Sequence, residues 1–244
     1  AGGVGANNIF VIDRAQQPGG PYAPSLYRSM LMSLLLGLGL GFGAALFIDH
    51  LDDTIHSVEE VERLSGLANL GIIPKARTGE SIEEALADPR SAISEAYRSL
   101  CTALQFSTDH GLPKTLMLTS SSPGEGKSIT SIAIARHFAT MGMKVLLIDA
   151  DLRNPSLHKK LGVDNSIGLS NYLTGNCTPP ETFQPGPIAN LAFMASGPLP
   201  PNAADLLGSA RLHSLVTVAL EVFDLVVIDG PPVMGLADAP IVSN

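Results

Sequence analysis

The sequence predicts an α/β protein with a doubly wound, mostly parallel sheet, preceded by a transmembrane helix. Three observations predict it. An uncharged apolar run occupies residues 29–48; short apolar runs alternate with helical patterns from residue 114 onward; and a glycine-rich turn joins the first of those runs to a helix. The bulk numbers agree. The 244 residues exceed one typical domain, hydrophobic residues make up 45%, and charged residues make up only 16%, which argues against wholesale disorder. The net charge of −8, with no Lys/Arg cluster, excludes an electrostatic nucleic-acid binder.

Residues 1–25 are rich in Gly, Pro and Ala, with a short apolar stretch from Ile9 to Ile12. Pro18, Pro21 and Pro24 exclude a helix interior, so an extended lead-in is expected, on the extracytoplasmic side. The abrupt start at Ala1 and the ending at Asn244 lead us to expect a fragment lacking both ends.

Residues 26–49 form the expected transmembrane helix. About 20 apolar residues rising ~1.5 Å each cover a hydrocarbon core of ~30 Å. The competing reading, a buried core helix, normally shows a polar face, and this run has none. Gly37, Gly39, Gly41 and Gly43 would each weaken a helix in water by about 1 kcal/mol. In lipid they are tolerated, and small residues four apart permit close helix contacts. Charge does not settle the orientation of the span: Arg28 before it would, if anything, favour a cytoplasmic lead-in, but one Arg is too little to decide, and Asp49, Asp52 and Asp53 after it do not count in a rule about Lys and Arg.

Residues 50–113 read as a juxtamembrane linker. Helices are predicted over 58–64, with an acidic first turn, and over 81–86 and 92–106; a short strand is predicted over 70–74. Residues 114–244 carry the α/β pattern, with strands at 115–119, 145–148, 191–195 and 225–228 and a helix at 127–141. Ligands of such sheets sit at the carboxyl ends of the strands.

Three motifs fall at those ends. Ser121-Ser-Pro-Gly-Glu-Gly-Lys-Ser128 follows a strand and opens a helix, the context a P-loop requires, with Ser121 where the strict pattern has Gly. The domain is therefore expected to be a P-loop NTPase binding ATP and Mg²⁺. Gly124 and Gly126 let successive N–H groups turn toward phosphate oxygens, and the helix N-terminus adds positive potential. Lys127 reaches the outer phosphates and Ser128 is a Mg²⁺ ligand; Pro123, Glu125 and Ile129 complete the expected binding segment. The competing reading is a Ser/Gly-rich turn before a helix. The second motif is Val145-Leu-Leu-Ile-Asp149-Ala-Asp151-Leu-Arg153-Asn-Pro155 and the third is Leu225-Val-Val-Ile-Asp229-Gly-Pro-Pro232. Mg²⁺ takes oxygen ligands and one such Asp would suffice, so three suggest further work: a carboxylate near the outer phosphate could accept a proton. Each Asp could instead be a helix N-cap. Cys101 and Cys177 lack metal-ligand spacing and read as free thiols of a reducing compartment. Because the domain needs ATP, we place it in the cytoplasm.

Together with the upstream helix, the three motifs resemble those of the bacterial tyrosine kinases of exopolysaccharide export, which are polysaccharide co-polymerases with a fused cytoplasmic autokinase. The resemblance implies autophosphorylation on tyrosine with ATP and Mg²⁺ at a bacterial inner membrane. It implies partners in the polysaccharide polymerisation and export machinery and in copies of the chain itself. It assigns Lys127 to the phosphates, Ser128, Asp149 and Asp229 to Mg²⁺, Asp151 to the base beside the incoming tyrosine, and Arg153 to phosphate. Partition-type ATPases carry a signature lysine where this chain has Ser122 and then Pro123. A membrane-tethered ATPase switch of that type, or an inert structural co-polymerase, are the alternatives. The family's ExxRxxR assembly motif is represented by Glu95, Arg98 and then Cys101, which lacks the last charge. Glu95 and Arg98 could equally be an ordinary i,i+3 pair. The tyrosines Tyr22, Tyr27, Tyr97 and Tyr172 form no cluster like the family's C-terminal acceptors.

Overall fold

The chain is described from a computed structural model, which defines residues 19–20, 25–51, 57–76 and 82–233. Most of the expected lead-in, Asp52 and Asp53, and residues 77–81 and 234–244 lie outside the described residues. Two compact units divide the chain at residues 68 and 69.

In the first unit the uncharged run forms one helix, α1, Leu26–Leu51, of 26 residues. That is longer than the ~20 residues a span needs. None of its residues is buried, so Leu34, Leu38, Phe42 and Phe47 present apolar surface all round, as lipid-facing helices do. Helix α2, Val58–Ser65, starts where the Ser57 hydroxyl accepts the Glu60 N–H at 3.2 Å and stops at Gly66, whose left-handed φ of 69° lets its N–H reach Glu62 O.

In the second unit the strand expected over 70–74 is not formed; the segment is irregular. The Asn69 side chain takes the Gly71 N–H at 2.7 Å, and Pro74 has no N–H to offer a ladder. Helix α3 (Ile82–Ala87) precedes α4 (Ala92–Gln105), which the Ser91 hydroxyl caps by accepting the Ser94 N–H at 2.9 Å.

Among the described residues the sheet has five strands: β1 (Thr115–Leu118), β2 (Val145–Asp149), β3 (Phe183–Pro185), β4 (Leu191–Met194) and β5 (Leu225–Asp229). Their spatial order is β1-β5-β2-β4-β3. All pairs are parallel except β3–β4. β3 was not anticipated from the sequence: it is three residues long and carries a proline, which an edge strand tolerates. β2 and β5 are central and fully buried, which is why they read as unbroken apolar runs. Alternate residues of these strands face opposite layers. Leu147, Phe193 and Val227 pack with Phe138 of α5 (Lys127–Thr140) and with Cys101 and Leu104 of α4. Leu146, Ile148, Val226 and Ile228 pack on the other side against α7 (Leu169–Leu173), α9 (Ala203–Leu207) and α10 (Ala210–Ala219). The short α6 (Leu157–Leu161) and α8 (Pro179–Thr182) complete the unit. Helices cover both faces, the doubly wound arrangement expected.

Candidate active site

The turn between β1 and α5 is where the chain must bend back on itself. Gly124 and Gly126 have φ of 88° and 93°, and a Cβ at either would meet nothing within 4 Å. Backbone conformation, not crowding, therefore demands glycine. The first-turn amides of α5 open onto a cleft of about 340 Å³. Its walls include Pro123, Gly124, Gly126, Lys127, Ser128 and Ile129 from the loop, and Asp151 and Arg153 from the segment after β2. The Glu125 side chain turns back: its carboxylate accepts the Ser121 N–H at 2.9 Å and lies outside these cleft walls. It braces the loop, and the turn keeps a negative charge away from a site built for anions.

The parallel register sets Asp149 directly beside Asp229. Both are fully buried beneath the cleft, and neither is among its walls. Both oxygens of Asp149 are held by backbone: Oδ1 accepts the Asp151 N–H at 3.3 Å and Oδ2 the Leu157 N–H at 3.1 Å. Asp149 thus folds the segment that carries Asp151, Arg153 and Ser156 over the P-loop. Burial, then the charge of Asp229, pushes its carboxyl up to about 7, against the pull of the Leu157 N–H. Burial also raises Asp229, opposed by Lys127 and by the Ser128 and Ser131 hydroxyls. The Ser131 hydroxyl lies 3.0 Å from Asp229 Oδ1, whereas Oδ2 accepts no hydrogen bond of standard geometry. Lys127 bridges the two layers. Its Nζ donates to Asp151 Oδ2 at 2.8 Å and lies 3.6 Å from Asp229 Oδ2. Asp151 Oδ1 in turn accepts the Asn154 N–H at 3.0 Å.

These donors suit Mg²⁺. Among the described residues no group of three or more His, Cys, Asp or Glu could hold a metal unaided. Mg²⁺ ordinarily takes one or two protein oxygens and completes its shell with phosphates and water. The Ser128 hydroxyl, the orphaned buried oxygen of Asp229 and the neighbouring Asp149 supply such oxygens.

Sequence reasoning missed Ser156, whose hydroxyl donates to Ser128 Oγ at 3.1 Å, and Lys160 and Asn154, which also wall the cleft. The second motif as read from sequence stopped at Pro155, one residue short of Ser156. Lys160 follows Ser156 by one helical turn, a relation visible only once α6 is known to start there. Glu95 and Arg98 lie 3.4 Å apart on the exposed side of α4, and Arg98 also donates to Pro89 O at 3.0 Å. The third position of that spacing points inward: Cys101 is fully buried, and burial pushes its thiol up to about 12. A charge there would have to be buried in the core. Both cysteines are free, as expected.

A strand–loop–helix of this form, at the carboxyl edge of a parallel sheet, defines a P-loop NTPase. Residues 111–243 match the ParA family model, described as NUBPL iron-transfer P-loop NTPase. Tyrosine-protein kinase YwqD of Bacillus subtilis (strain 168) is 40% identical over 160 residues, which cover 66% of this chain and 68% of that protein. Tyrosine-protein kinase wzc of Salmonella typhimurium is 31% identical over 252 residues, 97% of this chain but 35% of its own length. The kinase domain of Escherichia coli tyrosine kinase ETK superposes with a TM-score of 0.68 at 31% identity, covering 76% of each chain. The chain belongs to the bacterial tyrosine kinase family, and it spans about a third of the length of wzc-type relatives.

Proposed function

We propose that this chain is an ATP-dependent protein-tyrosine kinase, acting on its own copies within a polysaccharide polymerisation and export system. The observation that carries the reading is the 2.8 Å contact between Lys127 Nζ and Asp151 Oδ2 in the wall of the P-loop cleft, with Asp149 and Asp229 beneath. The loop amides and Lys127 bind the phosphates. Mg²⁺, held by Ser128 and Asp229 with Asp149 behind, would neutralise charge on the outer phosphates. Incoming phosphate competes with Asp151 for the Lys127 ammonium. As Lys127 turns to the nucleotide, Asp151 is released to accept a hydrogen bond from the tyrosine hydroxyl. The tyrosine oxygen then bonds to the γ-phosphorus, the bond to the β-phosphate oxygen breaks, and the proton passes to Asp151. Free tyrosine has a pKa near 10, and the transition state is loose, so a weak base acting late suffices. Arg153, on the cleft wall, contributes positive charge toward the phosphates.

The apolar surface of α1 supports anchoring in the bacterial inner membrane, and the need for ATP supports a cytoplasmic kinase domain. The exposed Glu95–Arg98 pair on α4 is a candidate contact between copies. Incubation of the full chain in detergent with ATP, Mg²⁺ and a tyrosine-containing polypeptide tests the reading. Phosphotyrosine is expected, and its absence in Lys127→Met. ATP hydrolysis without phosphotyrosine would instead favour a partition-type switch.

A further inference from the structure

Helix α4 reaches the nucleotide loop through a side chain with no role so far. Tyr97 is 7% exposed and sits with Ile93 and Ala85 against Ala133 of α5. Its hydroxyl lies 3.1 Å from Thr130 Oγ1, and Thr130 Oγ1 lies 3.1 Å from the Gly126 carbonyl oxygen. A carbonyl only accepts and threonine has one proton to give, so Thr130 donates to Gly126 and Tyr97 donates to Thr130. The Gly126 carbonyl also accepts the Thr130 N–H at 3.0 Å. That carbonyl and the Lys127 N–H belong to one planar peptide unit and point in opposite directions. Gly126 is in the left-handed region, where its lack of a side chain leaves the backbone freest to swing. Whatever fixes its carbonyl therefore aims the Lys127 amide into the cleft.

We propose that Tyr97 is a positioning residue for nucleotide binding: by holding the Thr130 hydroxyl on the Gly126 carbonyl, it ties the seating of α4 to the affinity of the P-loop for phosphates. The proposal rests on the reading of residues 121–128 as a nucleotide site. It gives α4 a second purpose. The exposed side of this helix carries Glu95 and Arg98, so an encounter there shifts an element joined to the phosphate loop by two hydrogen bonds. By reciprocity, nucleotide binding biases the same surface by an equal factor.

The test is titration of the full chain, in detergent with Mg²⁺, with fluorescently labelled ADP. Tyr97→Phe keeps the ring and its packing and removes only the donor. Its Kd is expected to rise about three- to tenfold, the worth of one hydrogen bond. Turnover at saturating ATP should stay within about twofold, a split a general loss of structure would not produce. Thr130→Val should weaken binding similarly, and the double variant should lose little more than either single one, because the two act in series. Unaltered binding by Tyr97→Phe, or additive losses, would overturn the proposal while leaving the nucleotide site intact. Failure of the wild-type chain to bind ADP would overturn the site itself and the proposal with it.

Discussion

Replacing Asp151 with Asn separates phosphate binding from proton transfer. The Asp151 carboxylate and Lys127 ammonium lie 2.8 Å apart with side chains 5% and 10% exposed. At an effective dielectric near 20, that separation gives a gross attraction of about 6 kcal/mol. Removing one partner of a buried pair costs about 3–5 kcal/mol when the other is left alone. Lys127 is not left alone, because Asp229 Oδ2 remains 3.6 Å away, so the stability loss should fall at or below the lower end of that range. An amide also preserves the acceptor for Asn154 N–H. The effect on catalysis should be larger, since a positioned base contributes roughly 10²–10⁴-fold. Nucleotide affinity should move the other way, holding or tightening, because the phosphates no longer compete with Asp151 for Lys127. Phosphotransfer rate, ADP titration and a thermal melt on the same preparation read all three. Near-wild-type turnover in Asp151→Asn, or loss of nucleotide binding alongside an intact fold, would refute the assignment of Asp151 as base and of its ion pair as a competitor with phosphate.

Two further predictions concern the buried carboxylate and the apolar helix. Burial raises Asp149 from the ordinary carboxylate range to about 7, so the folded protein holds a proton that the unfolded chain has released. Stability of the nucleotide-free protein is therefore highest below about pH 4 as far as this group is concerned, and falls as pH rises through about 7. Denaturant titrations across that window should show a shallower fall for Asp149→Asn; an equal slope would contradict the assignment. In α1, Leu38→Asp places a charge near mid-span, at about 2.5–3.5 kcal/mol for insertion, and should shift the chain out of the alkali-resistant membrane fraction. An unchanged fraction would argue against a span.

What could be read from sequence depended on whether the signal was local. β2 and β5 are unbroken apolar runs ending in aspartate because they are buried on both faces, and the α1 run is legible because no charged residue interrupts it. The P-loop announced itself because its glycines answer to backbone dihedrals at fixed positions. The side-by-side pairing of Asp149 and Asp229 was not legible: it depends on β5, the last of the described strands in sequence, lying between β1 and β2. The apolar stretch at 70–74 resembled a strand; the local signal against it, Asn69 two residues before Gly71 and able to claim the N–H a ladder would need, was outweighed by the apolar run. Glu125 was legible as part of the loop, but the turn of its carboxylate back to the Ser121 N–H was not, since several rotamers suit that position equally. Cys101 read as a missing surface charge, although its place on α4 faces the core.

The most direct test of the account is a calorimetric titration of ATP into the full chain, with and without Mg²⁺, for wild type and Lys127→Met. Mg²⁺-enhanced binding is expected of the wild type and a loss of about 10²-fold or more of the variant, since a charge-assisted contact buried at the cleft is removed and Asp151 and Asp229 are left uncompensated beside the phosphates. Equal affinity in the two proteins, or indifference to Mg²⁺, would contradict it.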